Sequence, residues 1–218
     1  MQGVFDFYGD LPIRPKQPER LFFGLFPDTE TSVRVGQFTQ RFLSENQWKG
    51  RLLETERLHV SLHHVGDYKR LRTKFIYAAR QAGEAISMHP FEVTFRFITS
   101  FEGTPPIDGR PRMRPLVLLG EGDALSELHK ILGAAMRKNG LRAAERFTPH
   151  MTLSYGPKPF SVQAIEPIRF VANEFALIHS KRGLTQYDLL DRWSLHAAMM
   201  ACPDDRGRHV RAARSRAQ

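Results

Sequence analysis

The segment LHVSLH at residues 58–63 alternates apolar and polar side chains with a period of two, which is typical of a β-strand with one buried and one open face. The segment HMTLSY at residues 150–155 repeats this pattern. Because residues i and i+2 of a strand point the same way, each segment places a histidine beside a hydroxyl group. Of the nine histidines, only these two are followed by an apolar residue, a hydroxyl residue and a leucine. The two pairs are His59 with Ser61 and His150 with Thr152.

A strand and a helix are predicted ahead of the first motif. The apolar run LFFGLF at residues 21–26, closed by Pro27, has the composition of a buried strand. A helix is predicted over residues 28–46, where Asp28 or Thr29 can cap the first turn and apolar residues recur at i, i+3 and i+7. That apolar face consists of Val35, Phe38 and Phe42.

The second half repeats this order of elements. The run LVLL at residues 116–119 predicts another buried strand, and a helix is predicted from Asp123 to a stop at Gly140. The apolar strand begins 38 residues before the first motif histidine and 34 residues before the second. The sequence therefore predicts two equivalent units whose motif strands face one another across a cleft.

The other segments complete the predicted layout. An alternating strand is predicted at 91–101, with Phe91, Val93, Phe95 and Phe97 on one face, and the hairpin signal KRG at 181–183 separates two more strands. We predict a helix at 67–86, strands at 168–180 and 187–196, a turn-rich loop at 103–115 that could cover a site, an extended N-terminal arm at 1–19, one folded domain at 20–202 and a disordered basic tail at 203–218.

The charge balance favours a ligand that carries phosphate. The 218 residues hold 32 Lys and Arg against 23 Asp and Glu, a formal net charge of +9. The tail at 203–218 contributes five arginines against two aspartates, a net +3, which leaves the body at +6. A basic surface attracts polyanions, but charge alone does not separate such a protein from any other basic one. The tail arginines could help to hold RNA or could simply be solvated.

The single cysteine and the composition of the N-terminus bear on where in the cell the protein is expected to be. Cys202 is the only cysteine, so neither an internal disulfide nor a cysteine-based zinc cluster can form. The N-terminus MQGVFDFYGD has no basic start followed by an apolar core, and no apolar run approaches the roughly 20 residues that span a bilayer. We expect a cytoplasmic monomer with no membrane partner.

Two histidines with two hydroxyl groups supply what displacement at a phosphodiester requires. The reaction needs a base for the incoming oxygen, an acid for the departing oxygen and donors for the non-bridging oxygens. Histidine suits both proton roles because its ordinary pKa, about 6.5, lies near neutral pH. The attacking and leaving oxygens lie on opposite sides of phosphorus, so one histidine on each wall of a cleft fits the geometry.

The paired motifs HVSL and PHMTL, 91 residues apart, resemble those of the two-histidine phosphoesterase superfamily, and most closely its bacterial 2'-5' RNA ligase/RNA 2',3'-cyclic phosphodiesterase branch. The opening RLFFGLFPD and the context RFTPHMTLSYG are also similar to that branch. The resemblance implies a bilobal α+β fold, with two pseudo-symmetric lobes that each contain an antiparallel sheet flanked by helices, and a central cleft. It also implies hydrolysis of the 2',3'-cyclic phosphates of RNA ends or small nucleotides to 2'-phosphates, with no metal or other cofactor.

The resemblance assigns roles to the motif residues. It makes His59 the acid that protonates the leaving 3' oxygen and His150 the base that deprotonates water, with Ser61 and Thr152 as phosphate-binding hydroxyls. Ser61 stands where the family more often has Thr, a mild change. After the second motif many members have a basic residue soon after the leucine, whereas this chain has Ser154-Tyr155. Candidate replacements for that charge are Arg146, Lys181 and Arg182.

The other histidines and a metal site offer alternative interpretations. His63 shares the predicted face of His59 but has no counterpart in the second half, so we expect it at the cleft edge or in solvent. On a strand, the two lie about 13 Å apart at roughly 3.3 Å per residue, which is too far for joint metal ligation. Phe22 or Tyr155 could stack on a base, although core packing is the ordinary role for Phe22.

Two other functions remain open from the sequence. The same site could join or open 2'-5' RNA linkages, the activity for which the resembling family is named. The altered Ser154-Tyr155 segment also permits a nucleotide-binding module that has no turnover.

Overall fold

The computed structural model describes residues 16–103 and 112–196. Most of the predicted arm at 1–19, the middle of the predicted loop at 103–115, Cys202 and the predicted tail at 203–218 lie outside the described residues. Within the described part, no helix is long and apolar enough to cross a membrane.

Strands and helices alternate along the chain in an α+β arrangement. In chain order the elements are β1 Glu19–Leu25, α1 Thr29–Glu45, β2 Arg51–Leu52, a 3-10 turn Thr55–Arg57, β3 Val60–Tyr68, α2 Thr73–Glu84, β4 Phe91–Ser100, β5 Arg114–Glu121, α3 Asp123–Lys138, β6 His150–Gly156, β7 Gln163–Ala172, β8 Glu174–Lys181 and β9 Gln186–Ser194.

The strands form one antiparallel sheet with two equivalent halves. Its order is β7-β4-β5-β6-β3-β1-β8-β9, and the short β2 pairs with β6. Four strands, β4 to β7, form one lobe, and β1, β3, β8 and β9 form the other. The lobes meet where β3 pairs with β6, and that ladder consists of the single pair Val60 and Met151. The bilobal α+β fold predicted from the resemblance is thereby confirmed.

The helices cover the sheet as their apolar faces require. Helix α1 begins after Asp28, whose carboxylate accepts a hydrogen bond from the Thr31 backbone N–H at 2.8 Å, and it buries Val35 and Phe42. Helix α3 packs against β3 and β4, and α2 packs against α3, β8 and β9. Gly140 follows the end of α3 with a φ of +75°, the left-handed conformation that favours glycine. These helices confirm the predictions at 28–46 and from Asp123.

The helix predicted at 67–86 is wrong in its first turns. Strand β3 continues to Tyr68, and α2 begins only at Thr73. Asp67 pairs with Arg20 of β1, and the guanidinium donates to both carboxylate oxygens at 2.7 and 2.8 Å. This contact holds Asp67 in the sheet, a long-range pairing that helical periodicity does not register.

The strand predicted at 168–180 is two strands. Strand β7 ends at Ala172 and pairs with β4 in one lobe, whereas β8 begins at Glu174 and pairs with β1 in the other. The predicted hairpin at 181–183 is confirmed as the connection between β8 and β9. The chain therefore passes from one lobe to the other at Asn173.

The predicted alternation of β4 holds only as far as Phe95. The register shifts between Phe95 and Phe97 against both neighbouring strands. Phe97 is consequently 36% exposed, and Ile98 takes the next buried position. A β-bulge reverses the faces of all later residues, so strict alternation fails beyond it.

Candidate active site

Each motif strand carries a β-bulge at the same position. On β3, Ser61 pairs with Gly24 and His63 pairs with Phe23, so Leu62 is the extra residue. On β6, Thr152 pairs with Val117 and Ser154 pairs with Leu116, so Leu153 is the extra residue. The two motifs therefore share a backbone irregularity as well as a sequence pattern.

His59 is held by its own chain just before β3. Its Nδ1 lies 2.7 Å from the Arg57 carbonyl oxygen. A carbonyl only accepts, so Nδ1 carries the hydrogen and donates it, and Nε2 is the nitrogen that accepts a proton. The Ser61 hydroxyl lies 3.0 Å from this Nε2, within hydrogen-bond distance.

His150 is anchored in the same way at the start of β6. Its Nδ1 lies 2.7 Å from the Thr148 carbonyl oxygen, again two residues earlier. The neutral ring therefore has the same tautomer as His59, with Nε2 as the proton acceptor. Both lobes present an imidazole whose proton-accepting nitrogen is selected by the main chain.

The inter-lobe junction brings the two motifs together. Val60 and Met151 pair across the junction and are both fully buried. Their neighbours on each strand point to the opposite face, which gathers two imidazoles and two hydroxyl groups side by side. The residues on this face are His59, Ser61, His150 and Thr152.

Burial lowers the pKa of both motif histidines. The pKa of His59 falls to about 4, because burial outweighs the hydrogen bond to the Arg57 carbonyl and the charges of His150 and Arg57 lower it further. Burial also lowers the pKa of His150, against its hydrogen bond to the Thr148 carbonyl. Both rings are therefore neutral at pH 7, and protonation of one opposes protonation of the other.

Different aromatic rings contact the two histidines. The rings of Phe22, Phe26 and Tyr187 lie 5.1, 5.9 and 5.7 Å from the His59 ring, measured between centroids. The Phe101 ring meets His150 edge-on at 4.9 Å. His59 thus sits in an aromatic pocket.

The bulges correct the predicted position of His63. This residue is 2% exposed, and its Nε2–H donates to the His129 carbonyl oxygen at 2.7 Å. Its ring stacks on that of His129 at 3.9 Å, and His129 stacks on Phe147 at 4.2 Å. The extra residue Leu62 turns His63 away from the face of His59, so the prediction of a cleft-edge or solvent position is wrong.

The second bulge decides which residue after the motif can reach the site. Ser154 is fully buried, while the Tyr155 hydroxyl shares a hydrogen bond with the Thr152 hydroxyl. Burial raises the pKa of Tyr155 to about 12, and the nearby Tyr187 contributes to that rise. Tyr155 therefore stays a neutral phenol beside the motif residues.

Arg57 and Tyr187 belong to the site, although the sequence patterns did not identify them. Arg57 is 8% exposed, and its guanidinium carbon lies 4.7 Å from the Tyr187 ring centroid. Of the cations nominated from the sequence, Lys181 pairs with Asp188 and Arg182 with Asp67, each at 2.9 Å, and Arg146 is exposed. In residues 16–103 and 112–196, no group of three or more His, Cys, Asp or Glu side chains could hold a metal ion.

A model described as the 2'-5' RNA ligase superfamily matches residues 27–184, a span that contains both motifs. Apo LigT of E. coli has the same fold at a TM-score of 0.61 and 23% identity, over 83% of this chain and 99% of LigT. TT0787 of Thermus thermophilus matches at a TM-score of 0.57 and 20% identity, over 82% of this chain and 98% of TT0787. LigT of E. coli complexed with 3'-AMP matches at a TM-score of 0.61 and 22% identity, over 82% of this chain and 98% of LigT. None of the curated proteins matches the chain.

Proposed function

Because the chain belongs to the 2'-5' RNA ligase superfamily, we propose that its cleft hydrolyses the 2',3'-cyclic phosphates of RNA ends or nucleotides to 2'-phosphates. The observation that carries this proposal is the equivalent anchoring of two imidazoles at the junction of the lobes. Each Nδ1 donates to the carbonyl two residues earlier, so in both rings Nε2 is the nitrogen that can accept a proton. An acid and a base of one residue type, on opposite lobes, suit displacement in line at phosphorus.

The proposed roles follow the resemblance of the motifs. His150 Nε2 takes a proton from water as the water oxygen bonds to phosphorus. The bond from phosphorus to O3' breaks, and protonated His59 Nε2 gives its proton to O3'. The Ser61 and Thr152 hydroxyls donate to the non-bridging oxygens, and no step uses a metal.

The negative charge of the substrate is expected to raise the pKa of His59. The pKa of His59 is about 4, so the ring is neutral at pH 7 and needs a nearby negative charge before it can act as an acid. A phosphate bound beside the ring raises this pKa, because an adjacent negative charge favours the protonated form. Substrate binding thus favours the protonated His59 that acts as the acid.

The direct test is hydrolysis in EDTA. Purified protein is incubated with a 2',3'-cyclic nucleotide and with RNA that ends in a 2',3'-cyclic phosphate, and the products are separated as 2'- and 3'-phosphates. We expect the 2'-phosphate in undiminished yield with the chelator. Absence of turnover on both substrates would refute the proposal, and tight nucleotide binding without product would favour a binding module.

Joining of 2'-5' linkages is a second proposed activity of the same site. The family description favours it, and the same acid and base can act with a 5'-hydroxyl in place of water. The base takes the proton of the 5'-hydroxyl, its oxygen bonds to phosphorus, and the bond from phosphorus to O3' breaks as the acid protonates O3', which leaves a 2'-5' linkage. Incubating paired RNA halves and looking for a joined product distinguishes this activity from hydrolysis.

The ligand class is proposed from the relatives and the chemistry. E. coli LigT has been crystallised with 3'-AMP, with ATP and with phosphate. These ligands support a nucleotide that bears a terminal phosphate as the ligand of this cleft. The expected cytoplasmic location and monomeric state stay predictions, and light scattering on the purified protein tests the second.

A further inference from the structure

The second motif of this chain places a tyrosine where the resembling family places a charge. Many members have a basic residue soon after the second-motif leucine. The bulge at Leu153 buries Ser154 and leaves Tyr155 beside Thr152. Position 155, and not position 154, is therefore where a basic side chain could reach a bound phosphate. Tyr155 can donate a hydrogen bond there, but it brings no positive charge.

Arg57 approaches the same place from the other lobe. Its guanidinium lies over the Tyr187 ring at 4.7 Å and within 3.5 Å of the Tyr187 hydroxyl, and the Tyr187 ring in turn contacts the His59 ring. The charge of Arg57 lowers the pKa of both His59 and Tyr155, which places it within electrostatic reach of each lobe. Arg57 and Tyr187 thus contact one another beside His59, and Tyr155 lies within electrostatic range of both.

We propose that Arg57 is the cation that binds the substrate phosphate in this chain, in place of the basic residue that the family carries after the second motif. This inference rests on the proposed function for the identity of the substrate. The site therefore binds a ligand with a terminal or cyclic phosphate, and the positive charge that faces this phosphate comes from the lobe that contains His59.

The geometry suits Arg57 to this role. Arginine offers a planar fork that binds two phosphate oxygens at once, and a ring beneath it restricts its motion before the ligand arrives. Arg20, which also lies near Tyr155, already makes two hydrogen bonds with the Asp67 carboxylate. The Arg57 main chain has a separate task, because its carbonyl fixes the His59 tautomer. A side-chain substitution leaves that carbonyl in place.

Calorimetric binding of inorganic phosphate and of 2'-AMP tests the inference without requiring turnover. For Arg57→Met we expect about 10- to 100-fold weaker binding, the usual loss for hydrogen bonds to a charged group. Arg142→Met, at an exposed arginine outside both motifs, is the control and should bind as the wild type does. Unchanged binding by Arg57→Met, or an equal loss in Arg142→Met, would overturn the inference.

Moving the charge to the other lobe gives a sharper test. In the double variant Arg57→Met/Tyr155→Arg we expect phosphate affinity to recover to within about 10-fold of wild type, since a charge–phosphate contact is restored. No recovery in a folded double variant would mean that Arg57 acts by packing.

Should Arg57→Met not fold, Arg57→Lys serves instead, with at least about threefold weaker binding expected because lysine lacks the planar fork. Unchanged affinity in that variant counts against the role.

The two proposals fail in different ways. If the wild type binds phosphate through Arg57 but opens no cyclic phosphate, only the proposed function is wrong. If the wild type turns over and Arg57→Met leaves both phosphate affinity and KM unchanged, only the role of Arg57 is wrong.

Discussion

The two lobes have matching backbones around different interiors. Both motif strands bulge at the leucine, and both histidines donate Nδ1–H to a carbonyl two residues earlier. Yet His59 sits among the rings of Phe22, Phe26 and Tyr187 with Arg57 nearby, while His150 meets the ring of Phe101 edge-on. Repetition thus provides two imidazoles anchored in the same way, and their surroundings differ. Unequal surroundings are what an acid and a base require.

The largest expected effect comes from removing either imidazole. His59→Ala and His150→Ala should each lower kcat for a 2',3'-cyclic nucleotide by at least about 10²- to 10⁴-fold, the usual contribution of a placed proton transfer. Circular dichroism should report an unchanged fold.

A substrate with a phenolate leaving group separates the roles of the two histidines, because such a group departs without an acid. His59→Ala should then recover much of its activity and His150→Ala should not. The opposite pattern would exchange the two assignments.

The motif hydroxyls should matter less than the rings. We expect Ser61→Ala and Thr152→Ala each to lower kcat/KM by about 10- to 100-fold, since each loses a hydrogen bond to a charged group. Ser61→Thr is the control that retains the hydroxyl and should keep most of the activity. Steady-state kinetics on one substrate compares all three variants. Full activity in both alanine variants would remove the hydroxyls from the site.

Acid should reveal a difference in stability between the lobes. The position after the bulge is His63 in one lobe, stacked on His129, and Ser154 in the other. Burial lowers the pKa of His129 to about 4 and also lowers the pKa of His63, so the unfolded chain binds more protons below pH 6.5. Stability therefore falls as the pH drops from 7 towards 4.

His129→Phe tests this difference. It should remove on the order of 2 kcal/mol of that pH-dependent loss, as judged from urea unfolding at pH 7 and pH 4.5. His89→Gln, at an exposed position, serves as the control and should leave the pH dependence unchanged. An equally steep loss in His129→Phe would exclude the stack as its source.

The smallest effect is expected from the cations that were nominated from the sequence. Lys181→Met and Arg182→Met remove ion pairs with Asp188 and Asp67 on the β8–β9 side of the sheet. Each should change KM by less than about threefold, since partly exposed pairs contribute little. A loss similar to that of Arg57→Met in either variant would relocate the phosphate charge.

The sequence predicted the elements that local patterns encode. The helix over 28–46 has a capping aspartate and a regular apolar face, and the structure contains it within one residue at each end. The paired His-x-Ser/Thr motifs were found for the same reason, because period-two alternation places the histidine and the hydroxyl on one face. The catalytic roles of these four residues stay predictions.

What the sequence did not predict depends on contacts between distant strands. Alternation alone placed His63 with His59, and only the pairing of β3 with β1 reveals the extra residue Leu62. Arg57 reads as an ordinary surface charge until Tyr187, 130 residues later, packs beneath it. Its position immediately before the first motif, two residues ahead of His59, was the one local signal available.

The single rung between β3 and β6 has a mechanical consequence. One residue pair would resist twisting little by itself, but the lobes are also joined by β2, which pairs with β6, and by α3, which packs against β3 and β4. These further contacts oppose rotation of one lobe against the other. Both motif histidines directly precede the paired residues Val60 and Met151, so the spacing of the two imidazoles depends on the helix layer as well as on the sheet.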